Sequence, residues 1–305
     1  MAPLAYNQGA TSEESALAYR PGEELAVIAG AGRLPVLAAR SHAAGGGRVF
    51  VVALEEEPVA ELVAVADDIV RHAPGEVGRI LRRLRRRGIR QLLFVGKVFK
   101  GKLFRGLRLD LTALKLWVTT SRRSDRGIMD RLCELAADSG LEVVSQLEVL
   151  GDLLVGEGLL TRREPNTEET ADAELGLRIA AASSRLGIGQ SVVVRGGVVV
   201  AVEALEGTDA CLARAGELAR GGGKLFRGGL VLTKVAGDGH DPRFDVPTVG
   251  CRTLENAAAA GVTCLALESG MTLIADELDV FTARADELGL SVLGLPAPRS
   301  APTDA

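Results

Sequence analysis

The stretch LAVIAGAGRLP at residues 25–35 decides the fold class of the first half of the chain. Its first five residues are apolar and have the length of a buried strand, and Gly30 and Gly32 then mark a turn. Pro35 stands where a helix is expected to begin. A second apolar run follows at residues 48–54. Strand, glycine turn, helix and strand in this order predict a β-α-β unit in a parallel sheet.

Further elements of this first domain are indicated by apolar periodicity and length. They are a helix at 77–87, a strand at 91–95 and helices at 111–120 and 129–138. The charged stretch 161–169 contains Pro165 and Asn166 and lacks apolar periodicity, which is typical of a linker. We therefore expect an extension at residues 1–22, a first domain at 23–160 and a second domain at 161–305.

The second domain shows the same alternation of helices and strands. Strands at 191–195 and 198–204 flank Gly196 and Gly197, a pair typical of a two-residue hairpin. The other expected elements are helices at 167–186, 210–220, 253–260 and 276–287 and strands at 229–234, 264–267 and 291–295. Both domains are therefore predicted to be α/β.

Composition narrows the class of protein. The 305 residues are 47% hydrophobic and carry a net charge of −4, which suits a globular protein without overall attraction to nucleic acid. The four cysteines lack C-x-x-C spacing, so neither a disulfide framework nor a zinc site is expected, and a cytoplasmic location fits. The N-terminus lacks the pattern of a secretory signal. The apolar run 191–205 is interrupted by Arg195 and Glu203, so no membrane-spanning helix is expected.

The turn at Gly30 and Gly32 has two interpretations. Glycines between a strand and a helix let backbone N–H groups approach a phosphate, yet the same turn can be purely structural. Pro35 occupies the third position of a dinucleotide fingerprint, and no acidic residue ends the second strand before Glu55. A nicotinamide oxidoreductase is therefore the weaker alternative.

A basic run lies within residues 77–108. Its positive residues are Arg82, Arg83, Arg85, Arg86, Arg87, Lys97, Lys100, Lys102 and Arg105, interleaved with Leu81, Leu84, Phe99 and Phe104. Such a surface can hold a protein on anionic lipid, or it can be a solvated helix face. Single-stranded nucleic acid is disfavoured because aromatic residues make up only 3% of the chain.

Polar residues concentrate in the second domain. Glu206, Thr208 and Asp209 follow a valine-rich strand, where loops build sites, although Thr208 or Asp209 also suits the N-cap of the next helix. Asp245 lies between two apolar residues in a loop, where neither capping nor surface patterning explains it. We expect a buried or metal-bound carboxylate, whose partner is Lys234, Arg243 or a metal.

These residue types fit the hydrolysis of a pyrophosphate. That reaction needs an oriented water and neutralisation of the charge that develops on phosphoryl oxygens. Carboxylates that hold Mg²⁺, with Lys or Arg beside them, commonly meet both needs. His240 lies in a polar, glycine-rich loop and is expected to be exposed, so it receives no role.

Four ordered motifs carry a resemblance to a known family. They are LAVIAGAGRLP at 25–35, IGQ at 188–190, VEALEGTD at 202–209 and FDVPTVG at 244–250. On these motifs the chain resembles the LpxI-type UDP-2,3-diacylglucosamine pyrophosphatases of bacterial lipid A synthesis, over nearly all of residues 25–295.

The resemblance implies a Rossmann-like nucleotide-binding domain at the N-terminus and a C-terminal α/β domain for catalysis and lipid binding. It implies Mg²⁺-dependent attack of water on the α-phosphate, which yields UMP and 2,3-diacylglucosamine 1-phosphate. Asp245 then serves as metal ligand or water-orienting base, with Asp209 as a second metal ligand, Glu206 in support and Lys234 on the phosphoryl oxygens. The expected substrate-binding residues are Gly30, Gly32, Gln190, Thr208 and Arg243.

Two departures from the family pattern affect the first domain. Gly96-Lys97 stands where members usually have a glycine-asparagine pair, and Ser124-Asp125 stands where they have an acidic pair. They motivate the alternative of a non-catalytic protein that binds a nucleotide-sugar or lipid phosphate. The family also implies a homodimer, and we expect peripheral contact with the inner membrane and no nucleic-acid partner.

Overall fold

The computed structural model describes residues 19–54, 60–97, 110–119, 125–221, 228–236 and 240–296. The chain forms two compact units. One comprises residues 1–31 and 39–149, and the other comprises residues 32–38 and 150–305. Among the described residues, no helix has the length and apolar character needed to cross a membrane.

The first unit is built on a five-stranded parallel sheet. Its strands are β1 (Leu25–Ala29), β2 (Val49–Ala53), β3 (Asp68–Arg71), β4 (Gln91–Val95) and β5 (Glu142–Val143). They lie in the order β3-β2-β1-β4-β5, and each neighbouring pair is parallel. This order matches the first five strands of a doubly wound sheet. The predicted parallel sheet is thus confirmed, and β1 and β2 are buried along their whole length, as their continuous apolar runs require.

The described residues of this half of the chain form six helices. They are α1 (Leu34–Ala44), α2 (Ala60–Val65), α3 (Val77–Arg87), α4 (Leu111–Thr119), α5 (Asp125–Asp138) and α6 (Gln146–Val149). Helix α3 buries Ile80 and Leu84 and ends at Gly88, whose φ of 78° closes the last turn with hydrogen bonds to two helix carbonyls. Part of the predicted basic run, residues 98–108, lies outside the described residues.

The second unit contains a six-stranded mixed sheet. Its strands are β6 (Gly158–Leu159), β7 (Ser191–Arg195), β8 (Val198–Val202), β9 (Leu230–Lys234), β11 (Val262–Glu268) and β13 (Ser291–Leu295). The order is β6-β13-β11-β9-β7-β8, with the central strands β13, β11 and β9 parallel. Two further strands, β10 (Thr248–Val249) and β12 (Leu273–Ile274), pair with each other. The sheet therefore presents the carboxyl ends of three parallel strands at one edge.

Helices cover both faces of this sheet. They are α7 (Thr167–Arg185), α8 (Thr208–Gly221), α9 (Cys251–Ala260) and α10 (Leu278–Glu287). Leu177 of α7 packs with Val231 and Cys264 on one face, whereas Leu212 and Phe281 belong to the core on the other face. A side chain at Gly176 would lie 2.5 Å from Thr233 Cγ2, so glycine allows α7 to approach β9 closely.

The predicted glycine hairpin is confirmed. Strands β7 and β8 are antiparallel, and Gly196 and Gly197 have φ values of 56° and 77°, as a type I′ turn requires. The Asp172 carboxylate accepts the N–H of each glycine, at 2.6 and 2.7 Å. The hairpin is thus fixed to α7.

The predicted linker at 161–169 is wrong. Thr161 is buried and its hydroxyl accepts the Val292 N–H at 2.9 Å, while Arg163 donates to Ser291 Oγ at 2.5 Å. Asn166 forms a capping box with Glu169 and starts α7. The polar residues that indicated a linker instead bond to strand ends and to a helix terminus. The division between units lies at Val149 and Leu150, before the position expected from the sequence.

Candidate functional site

The polar residues of the second unit meet at the carboxyl edge of its parallel strands. Strand β9 ends at Lys234 and β11 at Glu268. Gln190 immediately precedes β7, and its carbonyl accepts the Val235 N–H at 3.1 Å. This edge is where α/β sheets place ligand sites, because the loops after several strands converge there.

Asp245 lies in the loop between β9 and β10 and is held by two side chains. Its Oδ2 lies 2.6 Å from Nδ1 of His240, and its Oδ1 accepts from Nε2 of Gln190 at 3.3 Å. The side chain of Asp245 is 48% exposed, so the expectation of a buried carboxylate is wrong. A histidine and an amide hold the carboxylate, and neither was among the partners expected from the sequence.

His240 is a functional candidate that sequence reasoning missed. Its side chain is only 13% exposed, which corrects the expectation of a solvent-exposed histidine. Nε2 lies 2.8 Å from Ser184 Oγ, and the Ser184 hydroxyl donates to the Ala236 carbonyl at 2.9 Å. The Ala236 N–H in turn donates to Glu268 Oε2 at 2.6 Å. Contacts therefore run from β11 to the carboxylate of Asp245.

Arg243 stabilises the turn that carries Asp245. Its guanidinium donates to both carboxylate oxygens of Asp241, at distances from 2.6 to 3.1 Å. The Asp245 N–H donates to the Asp241 carbonyl at 2.9 Å, which closes the turn. Arg243 was expected to bind substrate, and the contacts described here give it a role in loop structure.

Lys234 belongs to a second polar cluster at the same edge. It is 8% exposed, and its Nζ donates to Thr208 Oγ1 at 3.0 Å. The Thr208 hydroxyl donates to Glu203 Oε1 at 2.9 Å. Glu203 Oε2 is buried and has no hydrogen-bond partner within the part of the chain that the structure describes. A cation and a carboxylate are thus linked through one hydroxyl.

The polar residues of the EGTD motif, at positions 206–209, bind different partners in the structure. Helix α8 begins at Thr208 rather than at residue 210, so the N-cap interpretation of Thr208 and Asp209 is wrong. Asp209 accepts from Arg252 at 3.1 Å and from Asn256 at 2.9 Å, which joins α8 to α9. Glu206 pairs with Arg214 at 2.7 Å, and a backbone hydrogen bond and then Arg214 lower its pKa. Thr208 of the motif accepts a hydrogen bond from Lys234.

A close contact joins the two loops that carry Gln190 and Glu203. A side chain at Gly189 would collide with the Glu203 carbonyl oxygen and would lie 3.3 Å from the Ala204 nitrogen. Glycine is therefore needed at position 189 for space.

Gly30 and Gly32 both have structural explanations. A side chain at Gly30 would lie 2.7 Å from the Lys97 carbonyl, because the turns after β1 and β4 pass close together. Ala31 and Lys97 exchange backbone hydrogen bonds at 2.8 and 2.9 Å. Gly32 has a φ of 104°, which other residues rarely adopt. Ser124, the other departure in this domain, lies outside the described residues.

The described carboxylates do not form a complete metal site by themselves. Within the described ranges, no group of three or more His, Cys, Asp or Glu side chains is arranged to hold a metal. Mg²⁺, however, is commonly bound by one or two carboxylates together with substrate phosphates and water. The half-exposed Asp245 fits this mode, whereas Asp209 is already engaged by Arg252 and Asn256.

Fold and site together define a two-unit α/β protein, with a polar site at the carboxyl edge of the second sheet. Two family models match the chain: the LpxI N-terminal domain matches residues 24–153, and the LpxI C-terminal domain matches residues 156–293. The chain belongs to the LpxI family, which confirms the resemblance drawn from the four motifs.

One relative is similar over nearly its whole length. It is the UDP-2,3-diacylglucosamine pyrophosphatase LpxI of Caulobacter vibrioides, 36% identical over 282 residues, which are 89% of this chain and 97% of the relative.

Two solved structures show weak similarity to this chain. An N5-carboxyaminoimidazole ribonucleotide synthetase in complex with ADP is 14% identical, with a TM-score of 0.26 over 68% of this chain and 46% of its own. The Staphylococcus aureus N5-carboxyaminoimidazole synthetase is 13% identical, with a TM-score of 0.25 over 65% and 44%. At these TM-scores they bear on neither the fold nor the function.

Proposed function

We propose that this protein hydrolyses UDP-2,3-diacylglucosamine to UMP and 2,3-diacylglucosamine 1-phosphate, a step of lipid A biosynthesis. The name of the Caulobacter relative supports the substrate. The observation that carries the proposal is the Asp245 carboxylate, half-exposed and held by His240 and Gln190 at the carboxyl edge of the sheet. The residue is therefore both oriented and accessible.

Asp245 acts in one of two ways in this proposal. It accepts a proton from the attacking water, or it binds Mg²⁺ together with phosphate oxygens of the substrate. When bound, Mg²⁺ supplies charge neutralisation at the diphosphate. Gln190 and Thr208 line the same edge and are proposed to contact substrate.

Lys234 is proposed to stabilise negative charge on the phosphoryl oxygens. Its ammonium group is held by Thr208, which itself bonds to Glu203, so the cation is fixed before substrate binds. Asp209, Glu206 and Arg243 are left out of the proposed chemistry, because Arg252, Arg214 and Asp241 respectively engage them.

The uridine nucleotide is proposed to bind near Gly30 and Gly32, after the carboxyl end of β1. The protein is proposed to act in the cytoplasm as a homodimer at the surface of the inner membrane. Helix α3 supports membrane contact, because Arg82, Arg83 and Arg86 are exposed on the face opposite to Ile80 and Leu84 and form no ion pair with other described residues.

Release of UMP from UDP-2,3-diacylglucosamine tests the proposal directly. The wild type is assayed with Mg²⁺ and with excess EDTA, beside Asp245→Asn and a control, Asp279→Asn, at an exposed position of α10. We expect Asp245→Asn to lose most activity and the control to retain it. Substrate binding without UMP release by the wild type would instead indicate the non-catalytic binding protein that the Lys97 and Ser124 departures suggest.

The two roles of Asp245 differ in their response to metal. If Asp245 binds Mg²⁺, Asp245→Asn raises the Mg²⁺ concentration needed for half-maximal residual activity. If it only orients water, that concentration stays at the wild-type value and kcat falls.

A further inference from the structure

His240 connects the proposed catalytic carboxylate to the buried core of the second unit. On one side its Nδ1 lies 2.6 Å from Asp245 Oδ2, and on the other its Nε2 lies 2.8 Å from Ser184 Oγ. Ser184 is buried in the last turn of α7. The imidazole ring is therefore held at both nitrogens, which fixes its plane as well as its position.

Three side chains contact the ring nitrogens of His240. The Ser184 hydroxyl, which donates to the Ala236 carbonyl at 2.9 Å, lies 2.8 Å from Nε2, and Nε2 of the Gln190 amide lies 3.3 Å from Nδ1. The carboxylate of Asp245 accepts from Nδ1. The ring therefore bridges a buried hydroxyl and the carboxylate of the site.

The backbone of Ala236, to which Ser184 donates, is itself held in place. The Ala236 N–H donates at 2.6 Å to Glu268, which is 7% exposed at the end of β11. Position 236 is thus held through both its N–H and its carbonyl. Without such support an aspartate in a loop samples several rotamers, since Asp245 is 48% exposed.

We infer that His240 is a positioning residue, which holds the Asp245 carboxylate in one orientation toward the substrate, with Ser184 and Glu268 holding His240 in turn. The inference rests on the proposed hydrolase function of Asp245. Reacting groups must be held within a fraction of an ångström, and a misplacement of about 1 Å costs about a hundredfold in rate. His240 itself touches neither the water nor the phosphate in this role.

Kinetics of three variants test the role. We expect His240→Ala to lower kcat about tenfold to a hundredfold with little change in KM, since orientation rather than substrate binding is lost. His240→Gln, which keeps one N–H donor, is expected to recover part of kcat. Ser184→Ala, which leaves His240 in place without its anchor, is expected to lie between wild type and His240→Ala.

A matched control removes another histidine–carboxylate pair. His72 Nδ1 lies 2.9 Å from Glu76 Oε2 in the first unit, and His72→Gln is expected to keep the wild-type kcat. Thermal unfolding of each variant shows whether a loss of rate comes from loss of fold. A wild-type kcat in His240→Ala, or equal losses in His72→Gln and His240→Gln, would overturn the inference.

A second measurement does not depend on turnover. The chain has three histidines, so their ring N–H protons can be assigned in NMR spectra from single substitutions. We expect a slowly exchanging His240 ring proton that is lost in Asp245→Ala and kept in His72→Gln. If that proton is unaffected by Asp245→Ala, His240 does not hold Asp245. If the wild type shows the coupling but releases no UMP, the positioning contact stands and the proposed hydrolase function fails.

Discussion

The ion pair between Arg163 and Glu169 is expected to contribute strongly to the stability of the second unit. Arg163 Nη2 donates to both oxygens of Glu169, at 2.7 and 3.0 Å, and Thr263 Oγ1 donates at 2.5 Å. The Glu169 side chain is only 4% exposed. Burial raises the pKa of Glu169, but hydrogen bonds from Arg163, Thr263 and Asn166 outweigh it and hold the pKa below its ordinary value.

Glu169→Ala should lower the free energy of unfolding by about 3 kcal/mol, which is the lower end of the range expected when one partner of a buried ion pair is removed. The lower end applies because Arg163 is 34% exposed and regains water when its partner is lost. For a unit of this size, about 3 kcal/mol corresponds to a fall in Tm of about 6–12 °C. Glu168→Ala is the matched control, since Glu168 lies in the same first turn of α7 but is exposed.

Differential scanning calorimetry at neutral pH measures this effect and separates the transitions of the two units. Because folding lowers the pKa of Glu169, its stabilisation is present above the unfolded carboxyl pKa of about 4.3 and is lost as the pH falls from there through the lower folded pKa. The difference in Tm between wild type and Glu169→Ala should therefore shrink in acid. Equal losses in Glu169→Ala and Glu168→Ala at neutral pH would refute the reasoning.

Three further predictions concern function. Lys234→Met should lower kcat about a hundredfold, as expected for loss of one preorganised donor to a developing anion, and steady-state UMP release measures it. Asp209→Ala should keep kcat within about threefold of wild type, because only an exposed link between α8 and α9 is lost; a loss as large as that of Asp245→Ala would restore Asp209 to the site. Charge reversal at Arg82 and Arg86 should weaken binding to anionic vesicles at least about tenfold in co-sedimentation, and salt should weaken the wild type. If vesicle binding is unchanged by both the charge reversal and added salt, α3 does not contact the membrane.

Sequence patterns predicted the central strands well and the edge strands poorly. Strands β1, β4 and β13 lie at the bounds that their apolar runs indicated. Strand β3 was missed because it contains only Ile69 and Val70 as apolar residues and lies at the sheet edge. Strands β6, β10 and β12 have two residues each, too few for a periodic signal. Periodicity reports burial, so it fails where burial is partial or brief.

For the site, the sequence indicated the region but not the contacts. Asp245, Gln190, Lys234 and Thr208 were singled out from residue type and position, and the structure brings them to one edge of the second sheet. His240 was dismissed because a lone histidine among glycines carries no pattern. Its contact with Asp245 arises from the turn between Asp241 and Asp245, which is closed by a backbone hydrogen bond. Residue propensities do not specify the geometry of this turn.

The close approach of Gly189 to the Glu203 carbonyl has a consequence for inhibitor design. Because the backbones of the two loops are in close contact, neither loop can move toward the other, and we expect the spacing between Gln190 and Thr208 to change little when a ligand binds. A compound that spans these two side chains meets a preformed surface and loses little affinity to reorganisation. Rigid scaffolds should therefore outperform flexible ones at this edge of the sheet.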